Sequence, residues 1–332
     1  MPKQRVLSGM RPTGRLHLGN LAGALDNWKK IQEDFDCFFF AADWHALTTE
    51  YEDPGSIREN IREMMVDWLS VGISPEKSVL FIQSLIKEHA ELHLLLSMMT
   101  PLPWLERVPT YKEQQQEPAN RDLSTYGFLG YPLLQTADII IYKAAKVPVG
   151  IDQVPHVELS REVARRFNFL YAPVFPLPDP MLTEVPKLLG IDGRKMSKSY
   201  NNAIYISDPP EEIRLKVSQM FTDPKRIKRS HPGNPDICNV FSFHRVYSSP
   251  ETVERVNRDC RSAALGCVQD KRDLAETLVS YLAPIREKRE AYLKNLKIVD
   301  EIVADGCARA RRVSCQTMEE VRTAMKLPES RF

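Results

Sequence analysis

The chain has 332 residues, of which 43% are hydrophobic and 27% charged, with a net charge of +1. That length supports two domains of ordinary globular composition and excludes fibrous or disordered classes. The near-zero charge excludes a globally basic nucleic-acid coat, though a local basic stripe would suffice for phosphate contacts.

Residues 5–8 read as a strand running into a Gly/Pro/Thr turn, followed by a helix over 21–32. Residues 37–42, Cys-Phe-Phe-Phe-Ala-Ala, form a second apolar strand ending at Asp43. A helix over 57–71 and a strand over 78–83 continue the alternation. This β-α-β-α-β order predicts an α/β fold, a Rossmann-like doubly wound parallel sheet with helices on both faces. Ligands on such sheets sit where loops leave the carboxyl ends of the strands, so residues 8–20, 43–49 and the loop near Gly150 should line one crevice. Beyond about residue 205 strand signals thin out, and helices are expected over 211–220, 250–264, 270–295 and 318–325. The division is therefore a catalytic domain over 1–200 and an all-helical domain over 201–332, with a linker near 201–210. No stretch of about 18 apolar residues is present, so neither a membrane span nor a membrane partner is expected. The first nine residues lack the apolar segment of a secretory signal, so a cytoplasmic location is expected. Six cysteines in that setting read as reduced thiols.

Three segments carry chemistry. In Ser8-Gly9-Met10-Arg11-Pro12-Thr13-Gly14-Arg15-Leu16-His17-Leu18-Gly19-Asn20 a strand ends, glycines allow close backbone approach, and a helix begins near Leu18. Free backbone N–H groups and a positive helix end suit a phosphate. Gly19 leaves room for an adenine, and His17 can donate to phosphate oxygens. A plain turn with a solvated histidine gives the same pattern, so this segment alone does not decide. The second segment is Gly193-Arg194-Lys195-Met196-Ser197-Lys198-Ser199, where two lysines on a Gly-tethered loop can close over a triphosphate and offset charge on departing pyrophosphate. A solvated basic loop is the plainer alternative. The third places one carboxylate, Asp138, in the apolar helical run Gly130-Tyr131-Pro132-Leu133-Leu134-Gln135-Thr136-Ala137-Asp138-Ile139-Ile140-Ile141-Tyr142. A buried carboxylate needs donors. Either a neighbouring protein group supplies them, or the carboxylate receives a ligand N–H, the one donor that indole offers.

These segments together resemble the class I aminoacyl-tRNA synthetases. His17-Leu18-Gly19-Asn20 stands at the first signature of that class, with Asn20 in place of histidine, and Lys195-Met196-Ser197-Lys198-Ser199 matches the second letter for letter. From Ser8 to the C-terminus the chain is similar to the tryptophan branch, including Asp43-Trp44-His45-Ala46-Leu47-Thr48 and the run over 147–161. The resemblance implies activation of L-tryptophan with ATP and Mg²⁺ and its transfer to tRNA(Trp), by a homodimer. It puts the indole-binding carboxylate at Asp138 and the amino-acid pocket at Tyr131, Gln135, Gln153 and His45. ATP contacts fall on Arg11, Pro12, Thr13, Gly19, Asn20, Gly150, Ile151, Asp152, Lys195, Met196, Ser197, Lys198 and Ser199. Catalytic roles fall on Lys195 and Lys198, assisted by His17 and Thr13. Ile151 departs from relatives, many of which carry Glu there. A tyrosine enzyme also uses an Asp on this helix. The Asp-Gln-Val-Pro-His-Val-Glu-Leu run over 152–159, the exact spelling of the second signature and the lack of a large extra C-terminal module favour tryptophan. A non-catalytic RNA-binding paralogue would have no need of both signatures and Asp138. A small-molecule nucleotidyltransferase would not need the helical domain.

Other groupings are weaker. Cys238, Cys260 and Cys267 stand where some relatives hold an iron–sulfur cluster with a fourth cysteine, but here that position is Asp270, so no metal is expected. His89 and His93 share a helical face without a third ligand and read as a solvated or packing pair. Basic clusters at 225–229, 286–297 and 309–312 read as solvated faces, with RNA contact the alternative.

Overall fold

The computed structural model describes residues 3–108, 124–182, 188–196 and 200–328. Five parallel strands, β1 (Arg5–Met10), β2 (Asp36–Ala41), β3 (Ser78–Ile82), β4 (Lys146–Val149) and β5 (Asp179–Leu182), lie in the order β3-β2-β1-β4-β5. The chain winds outward through β2 and β3, then returns to β1's other side at β4. The switch point between β1 and β4 is where such sheets open a crevice. The triple phenylalanine of β2 shows why the strand is continuously apolar. Phe38 and Phe40 join the core on one face, while Cys37, Phe39 and Ala41 join the core on the other. A sheet buried on both faces leaves no polar side to alternate with.

In chain order the helices are α1, which opens as Leu18–Asn20, passes through a π-helical turn, Leu21–Leu25, and continues as Asp26–Ile31; α2 (Asp43–Glu50); α3 (Ile57–Val71); α4 (Glu88–Ser97); α5 (Leu102–Glu106); α6 (Tyr126–Ile141); α7 (Val154–Leu170); α8 (Pro210–Ser218); α9 (Asn239–Tyr247); α10 (Pro250–Arg261); α11 (Cys267–Lys294); and α12 (Leu296–Ala324). The expected helix over 57–71 matches α3 in both ends, and Gly72 at φ +105° stops it with a left-handed cap. No helix is long and apolar enough to cross a membrane among the described residues.

The helical segment departs from the sequence expectation in two places. Helix α9 carries no expected counterpart, and α12 spans 29 residues where only 318–325 was expected. The buried positions of α12 include Gly306, Ala310, Ser314 and Thr317 at helical spacing. Small side chains in the middle of the helix let it approach β3 closely, and they break the apolar stripe that Val299, Val303, Met318 and Val321 form at its two ends. A methyl group on Gly306 would stand 1.8 Å from the Leu80 carbonyl oxygen. Arg309 donates to the Pro75 carbonyl at 2.8 Å, and Arg311 and Arg322 pair with Glu88 and Glu91 of α4.

The basic clusters are correspondingly divided. Arg289 of α11 pairs with Glu63 and, at 2.9 Å, with Asp67 of α3, which is 1% exposed. Burial pushes the Asp67 carboxyl up to about 6 against the pull of Arg289. Arg289 and Arg309 therefore serve packing, while Lys225, Lys228, Lys288, Lys294, Lys297, Arg311 and Arg312 stay exposed.

Gly306→Ala is expected to destabilise the protein by about 1–3 kcal/mol, the usual cost of overpacking a close contact. Urea unfolding of the two proteins measures it, and an unchanged midpoint would mean that α12 does not dock on β3 in solution.

Candidate active site

At the carboxyl ends of β1, β2 and β4 lies a cavity of about 470 Å³. Its wall includes Arg11, His45, Tyr131, Gln135, Asp138, Gly150 and Gln153, all singled out from the sequence, together with Gly9, Phe40, Phe128 and Val147. The order of strands explains the grouping. Each of these residues ends a strand, follows one, or faces the sheet from α2 or α6.

Helix α6 is started by Thr125, whose hydroxyl accepts from the Phe128 amide at 3.2 Å. About three and a half turns later Asp138 is carried, 1% exposed, into the apolar core. Its donors are protein side chains. His45 Nε2 stands 2.8 Å from Oδ2 and His89 Nδ1 stands 2.6 Å from Oδ1. Gln83 Nε2 donates to both oxygens at 2.9 Å. Burial pushes the carboxyl up, but the hydrogen bonds and proximity of His45 and His89 outweigh it and hold it at about 2. The carboxylate is thus ionised, and neighbouring side chains supply donors as one of the two sequence readings required. Asp138 still reaches the cavity wall, so the second reading concerns the same group.

His89 is no solvated residue. It is 0% exposed and bridges Asp138 to the Tyr142 hydroxyl, which it meets at 2.7 Å. Gln83 and Tyr142 were likewise missed. Their signal lay in an unusual polar residue closing an apolar strand and a tyrosine ending an apolar helix, and neither names its partner. Tyr131 Oη meets His156 Nε2 at 2.9 Å, and burial lowers the His156 imidazole.

The first signature is built as a helix cap. Asn20 N–H donates to His17 Nδ1 at 3.3 Å and His17 N–H to Asn20 Oδ1 at 3.0 Å, a reciprocal pair that starts α1. The His17 ring lies against Gly19, where a methyl would meet Nδ1 at 2.9 Å and Met196 Sδ at 3.7 Å. Met196 is buried in the core and so brings the second signature against the first. The chain beyond it reinforces the contact, since Leu18 N–H donates to Ile204 O and Ile206 N–H to Leu16 O, each at 2.9 Å. Pro12 is buried and Thr13 exposed, with Thr13 N–H donating to Arg11 O at 2.9 Å. Ile151 is 79% exposed, and Asp152 accepts from Gln153 at 2.9 Å. Pro12, Thr13, His17, Gly19, Asn20, Ile151, Asp152 and Lys195 stand outside the cavity wall. Lys195 is exposed, with its carbonyl held by Asn202 Nδ2 at 3.1 Å. Ser197, Lys198 and Ser199 lie outside the described residues.

The three grouped thiols do not fit a cluster. Arg226 places Nη1 at 3.8 Å from Cys260 Sγ and 3.7 Å from Cys267 Sγ, and its Nη2 donates to the Arg229 and Leu265 carbonyls. Asp270 faces His244 at 3.2 Å. A guanidinium between two would-be ligands and a carboxylate turned to a histidine make a poor thiolate set. Among the described residues no three His, Cys, Asp or Glu side chains are grouped to hold a metal ion.

Comparison with known proteins agrees with this geometry. The family model for tRNA synthetases class I (W and Y) matches residues 2–283. The tryptophan–tRNA ligase of Thermotoga maritima is 52% identical over 325 residues, covering 97% of this chain and 99% of its own. That of Aquifex aeolicus is 46% identical, covering 98% and 100%. A crystal structure of tryptophanyl-tRNA synthetase from Campylobacter jejuni, complexed with ADP and tryptophan, superimposes with a TM-score of 0.89 at 32% identity, covering 98% and 100%.

The ionised Asp138 also has a consequence for stability. Its folded carboxyl titrates at about 2, below the ordinary 3.8, so the stability it contributes is full above pH 3.8 and is lost as pH falls through about 2. The stability advantage of the native protein over Asp138→Asn should therefore be constant from neutral pH down to about 4 and shrink below it. Urea unfolding across that range checks it, and an advantage already gone at pH 5 would contradict an ionised, well-bonded carboxylate.

Proposed function

The chain belongs to the class I tRNA synthetases for tryptophan and tyrosine, and from that membership we propose that it activates L-tryptophan with ATP and transfers it to tRNA(Trp). The observation that carries this reading is the convergence of Asp138, His45, Tyr131, Gln135 and Gln153 on one cavity at the β1–β4 switch point. Tryptophan rather than tyrosine is supported by close identity to tryptophan–tRNA ligases over nearly the whole chain.

We place the indole against Asp138, with Tyr131, Gln135, Gln153 and His45 around the amino acid. Arg11, Gly150 and the first signature face the nucleotide. In the first step an oxygen of the tryptophan carboxylate attacks the α-phosphorus of ATP. The bond to the bridging oxygen breaks, and its electrons leave with pyrophosphate. The attacking group is already an anion, so no general base is required, and the protein's work is positioning and charge stabilisation. Lys195 and Lys198 take the charge growing on pyrophosphate, with Thr13, His17 and Asn20 around the phosphates. Mg²⁺ accompanies ATP, held through phosphate oxygens as this ion commonly is. The tRNA 3′ end then receives the aminoacyl group and AMP leaves. The helical part over 201–332 meets the anticodon end, where exposed Lys225, Lys228, Lys288 and Lys294 offer phosphate contacts. A homodimer in the cytoplasm completes the reading, both carried by family membership.

Pyrophosphate exchange into ATP tests it directly. Exchange is expected with tryptophan and not with tyrosine, in the absence of tRNA. Exchange with tyrosine would overturn the pocket assignment, and exchange with neither would overturn the activity.

Two variants test the roles. Asp138→Ala should raise the tryptophan KM by at least tenfold, since a hydrogen bond to a charged group is worth about 1.5–3 kcal/mol, while the ATP KM stays near normal. Lys195→Ala should lower kcat far more than it weakens tryptophan binding. Equal losses would reduce Lys195 to a binding group.

A further inference from the structure

The two oxygens of Asp138 offer about four lone-pair positions, and protein donors already face them. His89 and Gln83 meet Oδ1, while His45 and the same Gln83 amide meet Oδ2. An ionised carboxylate only accepts, so each of these nitrogens donates. An indole N–H directed at Oδ2 needs the position that His45 Nε2 holds at 2.8 Å, because two donors cannot share one lone-pair direction at full hydrogen-bond distance.

The three partners are not equivalent. Gln83 and His89 are 0% exposed and stand behind the carboxylate, away from the cavity wall. Each is fixed at its far end. Gln83 Oε1 accepts from the Trp44 amide at 3.1 Å, and His89 Nε2 meets the Tyr142 hydroxyl at 2.7 Å. Because Gln83 Oε1 is committed to an N–H, its amide nitrogen has to face Asp138. His45 differs, for it alone of the three shares the cavity wall with Asp138, and its side chain keeps 10% exposure. It rides on α2, one turn from the loop that follows β2, and stands edge-on to Tyr131 with ring centres 6.4 Å apart.

We propose that His45 is an exchangeable partner of Asp138, replaced on Oδ2 by the indole N–H of tryptophan, while Gln83 and His89 hold the carboxylate fixed and aimed at the cavity. The proposal rests on Asp138 being the indole acceptor. A ligand with a ring N–H swaps one hydrogen bond for another on Oδ2. A ligand without one, such as phenylalanine, leaves Oδ2 short of a donor whenever it displaces the imidazole, which disfavours it. Gln83 and His89 are then positioning residues, acting on tryptophan only through Asp138.

Proton NMR of the whole protein with ring-labelled histidine tests the exchange. The His45 and His89 signals are assigned with His45→Gln and His89→Asn variants and followed without ligand, with saturating tryptophan, and with ATP. Tryptophan should abolish the protected Nε2–H signal of His45 and leave the Nδ1–H signal of His89 in place, and ATP should move neither. A His45 signal that survives saturating tryptophan overturns the exchange. For the positioning part, His89→Leu should raise the tryptophan KM roughly tenfold, the worth of one hydrogen bond to a charged group, with kcat and the ATP KM little changed. His89→Asn, whose amide can stand at the Nδ1 position, should restore most of the loss. A normal tryptophan KM in His89→Leu, or equal losses of kcat and KM that His89→Asn does not rescue, overturns the positioning role. Asp138→Ala separates the two levels. If its tryptophan KM is normal, the indole assignment itself fails. If that KM is raised while the His45 signal stays put, only the exchange fails.

Discussion

Holding one carboxylate ionised inside an apolar helix is the constraint around which the catalytic half is built. Breaking a buried charge pair by removing one partner costs about 3–5 kcal/mol, so Asp138 can be tolerated only where several elements deliver donors together. His45 comes from α2, Gln83 from the end of β3, and His89 from α4. The end of β3 and α4 follow one another in the chain, but α2 and α6 stand apart from them. The sheet brings them together, because β2 and β3 are adjacent parallel strands whose carboxyl ends open on the same side. The Trp44 amide is shared between Asp43 and Gln83, which ties the end of β2 to the end of β3 and sets the spacing of the donors.

The loop before α1 depends on a different constraint, a helix start that caps itself. His17 and Asn20 cap each other, so the first turn of α1 is ordered by its own side chains. Residues 204 and 206 pair with the loop before it through backbone bonds. Asp67 of α3 pairs with Arg289 of the long helix α11. The helical segment therefore reaches α3 through a buried ion pair, where loss of one partner is costly. Tyr247 of α9 adds a hydroxyl bond to the Leu18 carbonyl at 3.3 Å.

Polar groups in the helical segment are spent on packing more than on display. Arg226 ties two loop carbonyls to two thiols, and Arg289, Arg309 and Arg322 each reach back to the catalytic half. What remains exposed includes Lys225, Lys228, Lys288, Lys294 and Lys297, whose compact charges suit sequence-independent phosphate contact.

The fold class and the location of the cavity were legible in the sequence because they follow from local patterns. Continuous apolar runs mark strands buried on both faces, glycines and Asn20 mark the capped turn, and a lone Asp138 in an apolar helix marks a polar site. Most of helix α12 was not legible, since the middle of its buried face is Gly306, Ala310, Ser314 and Thr317, which interrupt the apolar run between Val299 and Val303 at one end and Met318 and Val321 at the other. Nor was the choice of donors for Asp138. His89, Gln83 and His45 stand 49, 55 and 93 residues away from it. A carboxylate announces its need for donors through its own surroundings, whereas which side chains answer is decided by the register of distant strands and the packing of helices against them. The sequence alone determined that a site exists and roughly what it binds. Only the tertiary structure decided that Asp138 is clamped from behind and met from the cavity by His45, because hydrogen-bond geometry is settled within a few tenths of an ångström by the whole core.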